Sequence, residues 1–386
     1  MTTGAPPAGG AASAASTAQR ERSAAYERAR AACDEAMAAG VELVERDFAF
    51  AGRRVRMRVA GHELAEHLMR PFAHLQVARV REARVRDGDD HDGRGDEEPL
   101  ALAIDVWDER VVHVPYPSGD DREPHETRRP TGHGVLALSG ATRFVRYDCT
   151  AWVTWLDRAS RRIVGWRANA DRLSMHERTR PLPFLLPVWY ADQGVQVIHA
   201  GLVARGGRGV LFCGANGAGK STSSLACLCA GLDFLSDDHV GLEAKSDGTF
   251  VGHSVFGSTR LEPDHLERFP ELLPHAIPSP EWFETKSLIL VAESMPERVI
   301  PSVPIRAIAL PMLGDGPDTR VTPIGRAAAL RALAPSTLMQ MPFGATADRF
   351  AELARLTASV PAFKLELGRD VRGIAPRVHE LIDGLG

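Results

Sequence analysis

The stretch that decides the fold is "GVLFCGANGAGKSTSSLACLCAGLDFLSDDHV", residues 209–240. Its opening, "GVLFC", is a short apolar run of the kind that forms a buried strand. "GANGAGKS" then fits G-x-x-x-x-G-K-[ST] over Gly214 to Ser221. "STSSLACLCA" reads as a compact helix closed by Gly231. Strand, glycine turn and helix come in the order a phosphate-binding loop requires. Gly214, Gly217 and Gly219 permit a turn whose N–H groups face inward, with Ala215, Asn216 and Ala218 between them. The helix start adds its positive end. Lys220 reaches the terminal phosphates, Ser221 offers a hydroxyl to Mg²⁺, and Thr222 offers a second one nearby. A nucleoside triphosphate with Mg²⁺ is the expected ligand.

A phosphate loop alone names no reaction. "DFLSDD" is a short strand arriving directly after the loop helix, with Asp237 and Asp238 at its carboxyl end. Ligands collect at that end of sheet strands. Adjacent carboxylates on an extended chain point apart. One is therefore expected to hold Mg²⁺ and the other to face an incoming hydroxyl and take its proton. His199 closes the strand-like "VQVIHAG" just ahead and is expected to hydrogen-bond one of the aspartates.

Charge composition sharpens the lysine. The chain has 386 residues and 46 Lys and Arg together, yet only Lys220, Lys245, Lys286 and Lys364 are lysine. Where arginine serves as the generic cation, a lysine marks a need for a compact ammonium. Lys286 therefore joins the candidates for phosphate or substrate contact. Arg260 in "STRLEPD" is a further candidate for a phosphate or an acidic acceptor.

Residues 1–20 are small and polar and are expected to be unstructured. Residues 21–185 read as an α+β, mostly β accessory domain. It has a helix over 21–40, a hairpin turning at Gly52, and strands "ALAIDVWD", "GVLALSG", "RFVRYDC" and "RIVGWRAN". "RDGDDHDGRGDEEP" at 86–99 is acidic but lacks calcium-loop spacing, so it reads as a solvated loop. Residues 186–386 mix strands and helices in an α/β pattern.

Net charge is -4 and there is no basic block, which argues against a nucleic-acid partner. No apolar run is long enough to span a membrane, and none looks like a signal peptide. Five scattered cysteines read as reduced and structural. A cytoplasmic protein is the expectation.

"HAG", "GVLFCGANGAGKS" and "FLSDDHV" together resemble the catalytic domain of the bacterial HPr kinase/phosphorylases, P-loop proteins shaped like phosphoenolpyruvate carboxykinase. The resemblance implies such a domain over 186–386 and an ATP- and Mg²⁺-dependent serine kinase acting on a protein or peptide. It implies roles for His199, Lys220 and Ser221, with Asp237 as general base and Ser221 and Asp238 at the metal. It also makes a homo-oligomer an expectation. The chain departs from the family at Thr222, where an acidic residue is usual. It also lacks the family's "EIRGLGIIDV" signature, so phosphorylase activity is not implied. Transfer to a small hydroxyl metabolite, and a nucleotide-regulated ATPase or binding module without kinase activity, are the alternative readings.

Overall fold

The computed structural model describes residues 8–78, 99–117, 134–136, 143–149, 152–280, 284–340 and 346–385. The acidic loop read at 86–99 lies almost wholly outside them. The chain is α/β, with mixed sheets. It divides into two compact units: Met1–Glu45, Arg56–Ala65 and Leu100–Arg172 in one, Arg46–Val55, Glu66–Pro99 and Leu173–Gly386 in the other. The long stretch of the second unit starts at Leu173. The 43–60 hairpin contributes to both units, which a pattern of alternating residues cannot reveal.

In the first unit a helix spans Ala8–Ala39. Its first turns fall in the segment expected to be unstructured. The alanine content there, which supplies no core, still favours helix over coil. Tyr26, Cys33 and Ala36 on this helix share a core with Trp107, Phe144 and Trp155. Strands Leu102–Asp108 and Arg162–Arg167 pair parallel, and Trp152–Asp157 and Phe144–Cys149 continue antiparallel. Asp157 organises the turn between the last two of these elements in sequence. Its carboxylate accepts from Ala159 N, Ser160 Oγ and Arg143.

Among the described residues, the second unit carries a nine-stranded sheet. Its hub is the long strand Ser302–Leu313. That strand runs parallel to Arg208–Phe212, with Phe212 opposite Ala309, and parallel to Ala362–Leu367, with Leu313 opposite Leu367. Phe250–Ser254 pairs antiparallel with its first half. His239–Ala244 and Val195–His199 follow outward, and His239 sits opposite His199. On the other side Gly201–Arg205 links Arg208–Phe212 to Asp233–Ser236.

Both faces of this sheet are covered, as the near-continuous apolar runs require. Val210, Phe212, Ala307 and Ala309 pack with Leu225 and Leu228 on one face. Leu211, Ile308 and Leu310 pack with Leu333 and Leu353 on the other. Three parallel strands therefore deliver their carboxyl ends to one edge, and the glycine turn leaves from the first of them. The piece "SLILVAE" is shorter as a strand than its sequence implies: Ser287–Ile289 is extended and Val291–Ser294 is helical.

Candidate active site

The turn from strand to helix is built by glycine conformations. Gly214, Gly217 and Gly219 have φ of 151°, 77° and 102°. Gly219 is also the N-cap of the helix Lys220–Cys229. A Cβ there would overlap Leu367 Cδ1 and lie 3.6 Å from Pro311 Cβ, so close packing as well as φ demands glycine. Ala215, Asn216 and Gly217 are exposed, whereas Ala218, Ser221 and Thr222 are half-buried. The first N–H groups of the helix have no partner within it.

Lys220 is buried. Its ammonium donates to the carbonyls of Gly214 and Ala215 at 3.0 and 3.1 Å. Burial pushes its pKa down, against the pull of Asp238 and Asp237. A buried ammonium bonded only to neutral carbonyls is an electrostatic seat for an anion.

The aspartate pair is arranged by its own turn. Ser236 Oγ accepts from the backbone N–H groups of Asp238 and His239 at 3.1 and 2.9 Å. This bends the chain as the strand ends, and the two carboxylates part company. Asp237 is 4% exposed. Thr259 Oγ1 donates to its Oδ2 at 2.6 Å. Burial, with the neighbouring Asp238, raises its pKa against the opposing effects of the Thr259 hydroxyl, Arg180 and the Ser221 hydroxyl.

Asp238 has opposite company. Arg180 Nη2 lies 2.6 Å from Oδ2, His239 Nδ1 lies 2.8 Å from Oδ2, and His199 Nε2 lies 2.7 Å from Oδ1. Burial works to raise its pKa, but Arg180, aided by His239 and His199, holds it well below the usual carboxylate range. Burial drives the His239 imidazole the other way, downward.

Arg180 was invisible in the sequence among 42 arginines. Its placement has a local cause. It follows the short helix Met175–Thr179, which Ser174 and Glu177 close with a capping box. Ser258 Oγ then donates to Thr179 O at 2.6 Å and pins the helix end. Thr259, next in the chain, was also missed; a threonine in an edge strand carries no signal of its own.

The structure brings His199, Lys220, Ser221, Asp237 and Asp238 together. It pairs them differently from the expectation in one respect. Ser221 meets Asp237, whereas both oxygens of Asp238 face Arg180 and the two imidazoles. Asp238 is already charge-compensated, which makes it a poor partner for a metal beside Ser221. Arg260 reaches Glu284 at 2.9 Å and His176 Nδ1 at 3.1 Å. Burial and Arg180 lower its pKa, and Asp237 and Asp238 act on it only at longer range. Lys286 is 3.8 Å from Glu262 and 40% exposed; nothing draws it to the aspartates.

Among the described residues, no cluster of three or more His, Cys, Asp or Glu side chains is arranged to hold a metal ion. Mg²⁺ does not need one, because it commonly keeps waters and takes the rest of its shell from phosphates. Ser221 fits that role. No helix among the described residues is long and apolar enough to cross a membrane.

No protein-family model matches the chain, and no curated protein matches it. Among solved structures it aligns with the Hpr(Ser) kinase/phosphatase from Coxiella burnetii at 15% identity, with a TM-score of 0.25. That alignment covers 48% of this chain and 97% of the other. A likeness this slight carries no weight for function; the side-chain chemistry does.

Proposed function

We propose that the chain is an ATP- and Mg²⁺-dependent phosphotransferase acting on a hydroxyl, with a serine of a protein or peptide as the acceptor. The observation that carries this is the contrast between the two aspartates. Asp237 is buried and bonded by the hydroxyl of Thr259, whereas Asp238 pairs with the Arg180 guanidinium and lies against two imidazoles. A site with one compensated and one basic carboxylate beside a buried lysine suits in-line phosphoryl transfer.

In this reading Lys220 and the N–H groups of 214–222 bind the β- and γ-phosphates. Asp237 orients the acceptor hydroxyl and accepts its proton at Oδ1, while Thr259 occupies Oδ2. Ser221, with phosphate oxygens and water, would hold Mg²⁺, which offsets charge on the transferred group. His199 and Arg180 fix Asp238, and Asp238 in turn orients the two imidazoles.

Incubation with γ-labelled ATP and a lysate of the native cell tests the reading. Labelled protein or peptide supports it. A labelled small molecule would keep the chemistry and overturn the acceptor class. Release of free phosphate alone, or no turnover, would contradict it.

A further inference from the structure

Gly201 opens the strand Gly201–Arg205, just after His199. It is buried, and its φ lies outside the left-handed region, so its backbone would suit other residues. Space does not. A Cβ built there would overlap Ser224 Oγ and lie 3.5 Å from the carbonyl oxygens of both Ser236 and Asp237. The backbone on either side is tied to the same aspartate segment: Ala200 N donates to Asp238 O at 3.0 Å, and Leu202 sits opposite Ser236. Strand alternation puts Gly201 on the face of Val203, which shares a core with Leu225 and Leu228, whereas Ala200 and Leu202 belong to the opposite core. Ser224 comes from the helix Lys220–Cys229, on the same helical face as Lys220 and Ser221. It is fully buried, and its hydroxyl has no hydrogen-bond partner among the described residues. Ser224 is therefore held against Gly201 by fit and not by a bond.

The helix that starts at the glycine turn thus rests on the aspartate segment at the one place where a residue has no side chain. We propose that Gly201 is a positioning residue for phosphoryl transfer: its bare Cα sets how closely the helix carrying Lys220 and Ser221 seats over Asp237. The inference rests on the phosphotransferase reading. A methyl group at 201 would meet Ser224 on one side and two backbone carbonyls on the other, in an interior packed as densely as an organic crystal. The helix then backs away from the strand, and Lys220 and Ser221 move with it. The glycine turn travels with its helix, so the phosphate seat stays whole. What changes is its distance from the proton acceptor. Misplacement of reacting groups by about 1 Å costs about a hundredfold in rate.

The test measures two quantities on the full chain: affinity for ATP with Mg²⁺ by calorimetry, and the rate per folded molecule at which γ-labelled ATP labels the proteins of a native-cell lysate. Gly201→Ala is expected to keep ATP affinity within about threefold of wild type and to slow labelling about tenfold to a hundredfold. Gly201→Ala with Ser224→Ala, which vacates the contested space, is expected to recover most of that rate. Gly252→Ala is the packing control. Its Cβ would overlap Leu202 Cδ2, in the core on the other side of the sheet from the helix, so it should lower the melting temperature and leave labelling unchanged. Should Gly201→Ala not fold, Ser224→Cys carries the test, because it sets a larger atom at the same contact. Labelling slowed about threefold or more at unchanged ATP affinity is then expected. Wild-type labelling in a folded Gly201→Ala or in Ser224→Cys, no recovery in the double variant, or an equal loss in Gly252→Ala would overturn the spacing role and leave the phosphotransferase reading in place. A wild type that labels nothing would overturn that reading, and the spacing role with it.

Discussion

The guanidinium of Arg180 lies 2.6 Å from Oδ2 of Asp238. The pair is only slightly exposed, at 20% and 17% of the two side chains. Removing one member of such a pair strands the other charge, and the cost is larger than the pair's net worth. Arg180→Met should therefore destabilise the fold by about 3 kcal/mol, the low end of the range for buried pairs. Arg180→Met with Asp238→Asn should cost less than the two single changes added together. Denaturant titration of the four proteins measures this; simple additivity would mean that the contact is incidental.

Thr259 is expected to matter through its hydroxyl alone. Its 2.6 Å bond to Asp237 Oδ2 is buried, so Thr259→Val keeps the shape and leaves a carboxylate oxygen without a donor. A loss of about 1–2 kcal/mol in stability is expected, with phosphoryl transfer slowed about tenfold. Thr259→Ser should restore both. Equal loss in the valine and serine variants would show that packing, and not the hydrogen bond, is at work.

Two glycines of the turn should respond unequally to alanine. At Gly217, φ is 77° and a Cβ meets nothing within 4 Å, so the cost is one left-handed residue, about 1–2 kcal/mol. At Gly219 the unfavourable φ of 102° is joined by overlap with Leu367. Gly219→Ala should cost about 3 kcal/mol or more, as strain and overpacking add. Melting curves of the two variants decide; similar losses would mean that Leu367 yields easily.

The pH dependence of stability should carry a mark from Glu243. Burial raises its pKa, but hydrogen bonds from Lys245, Arg53 and His253 prevail and lower it from 4.5 to about 2. A carboxyl depressed on folding binds protons more readily in the unfolded chain. Its contribution is therefore complete above pH 4.5 and is lost as pH falls towards 2. The difference in melting temperature between the wild type and Glu243→Gln should be largest near neutral pH and shrink steadily below about pH 4.5. A difference that does not vary with pH would exclude this role.

The parts of the site that lie in one continuous segment were legible in the sequence. Gly214, Gly219, Lys220 and Ser221 announce themselves by spacing, and Asp237 and Asp238 by following a strand directly after the loop helix. His199 was legible as the end of a strand, and that strand does pair with the one starting at His239. What was not legible comes from elsewhere in the chain. Arg180 and Thr259 are ordinary residue types in unremarkable contexts, and only tertiary packing through Ser258 and Thr179 gives them their places. The same packing turns Arg260 towards Glu284 and leaves Lys286 outside. Scarcity of lysine, a compositional argument, singled out both Lys220, which the structure buries against the glycine turn, and Lys286, which it sets 3.8 Å from Glu262. The α/β class of the second unit was read from alternating elements. The split of the 43–60 hairpin between units depends on contacts that no local pattern encodes.

The central claim is that Asp237, and not its neighbour, handles the acceptor's proton. The direct measurement is a pair of experiments on Asp237→Asn: ATP affinity by calorimetry and transfer of labelled phosphate to acceptor in a single turnover. The account predicts affinity within a few fold of wild type and transfer reduced by at least about a hundredfold. Transfer at the wild-type rate would contradict it.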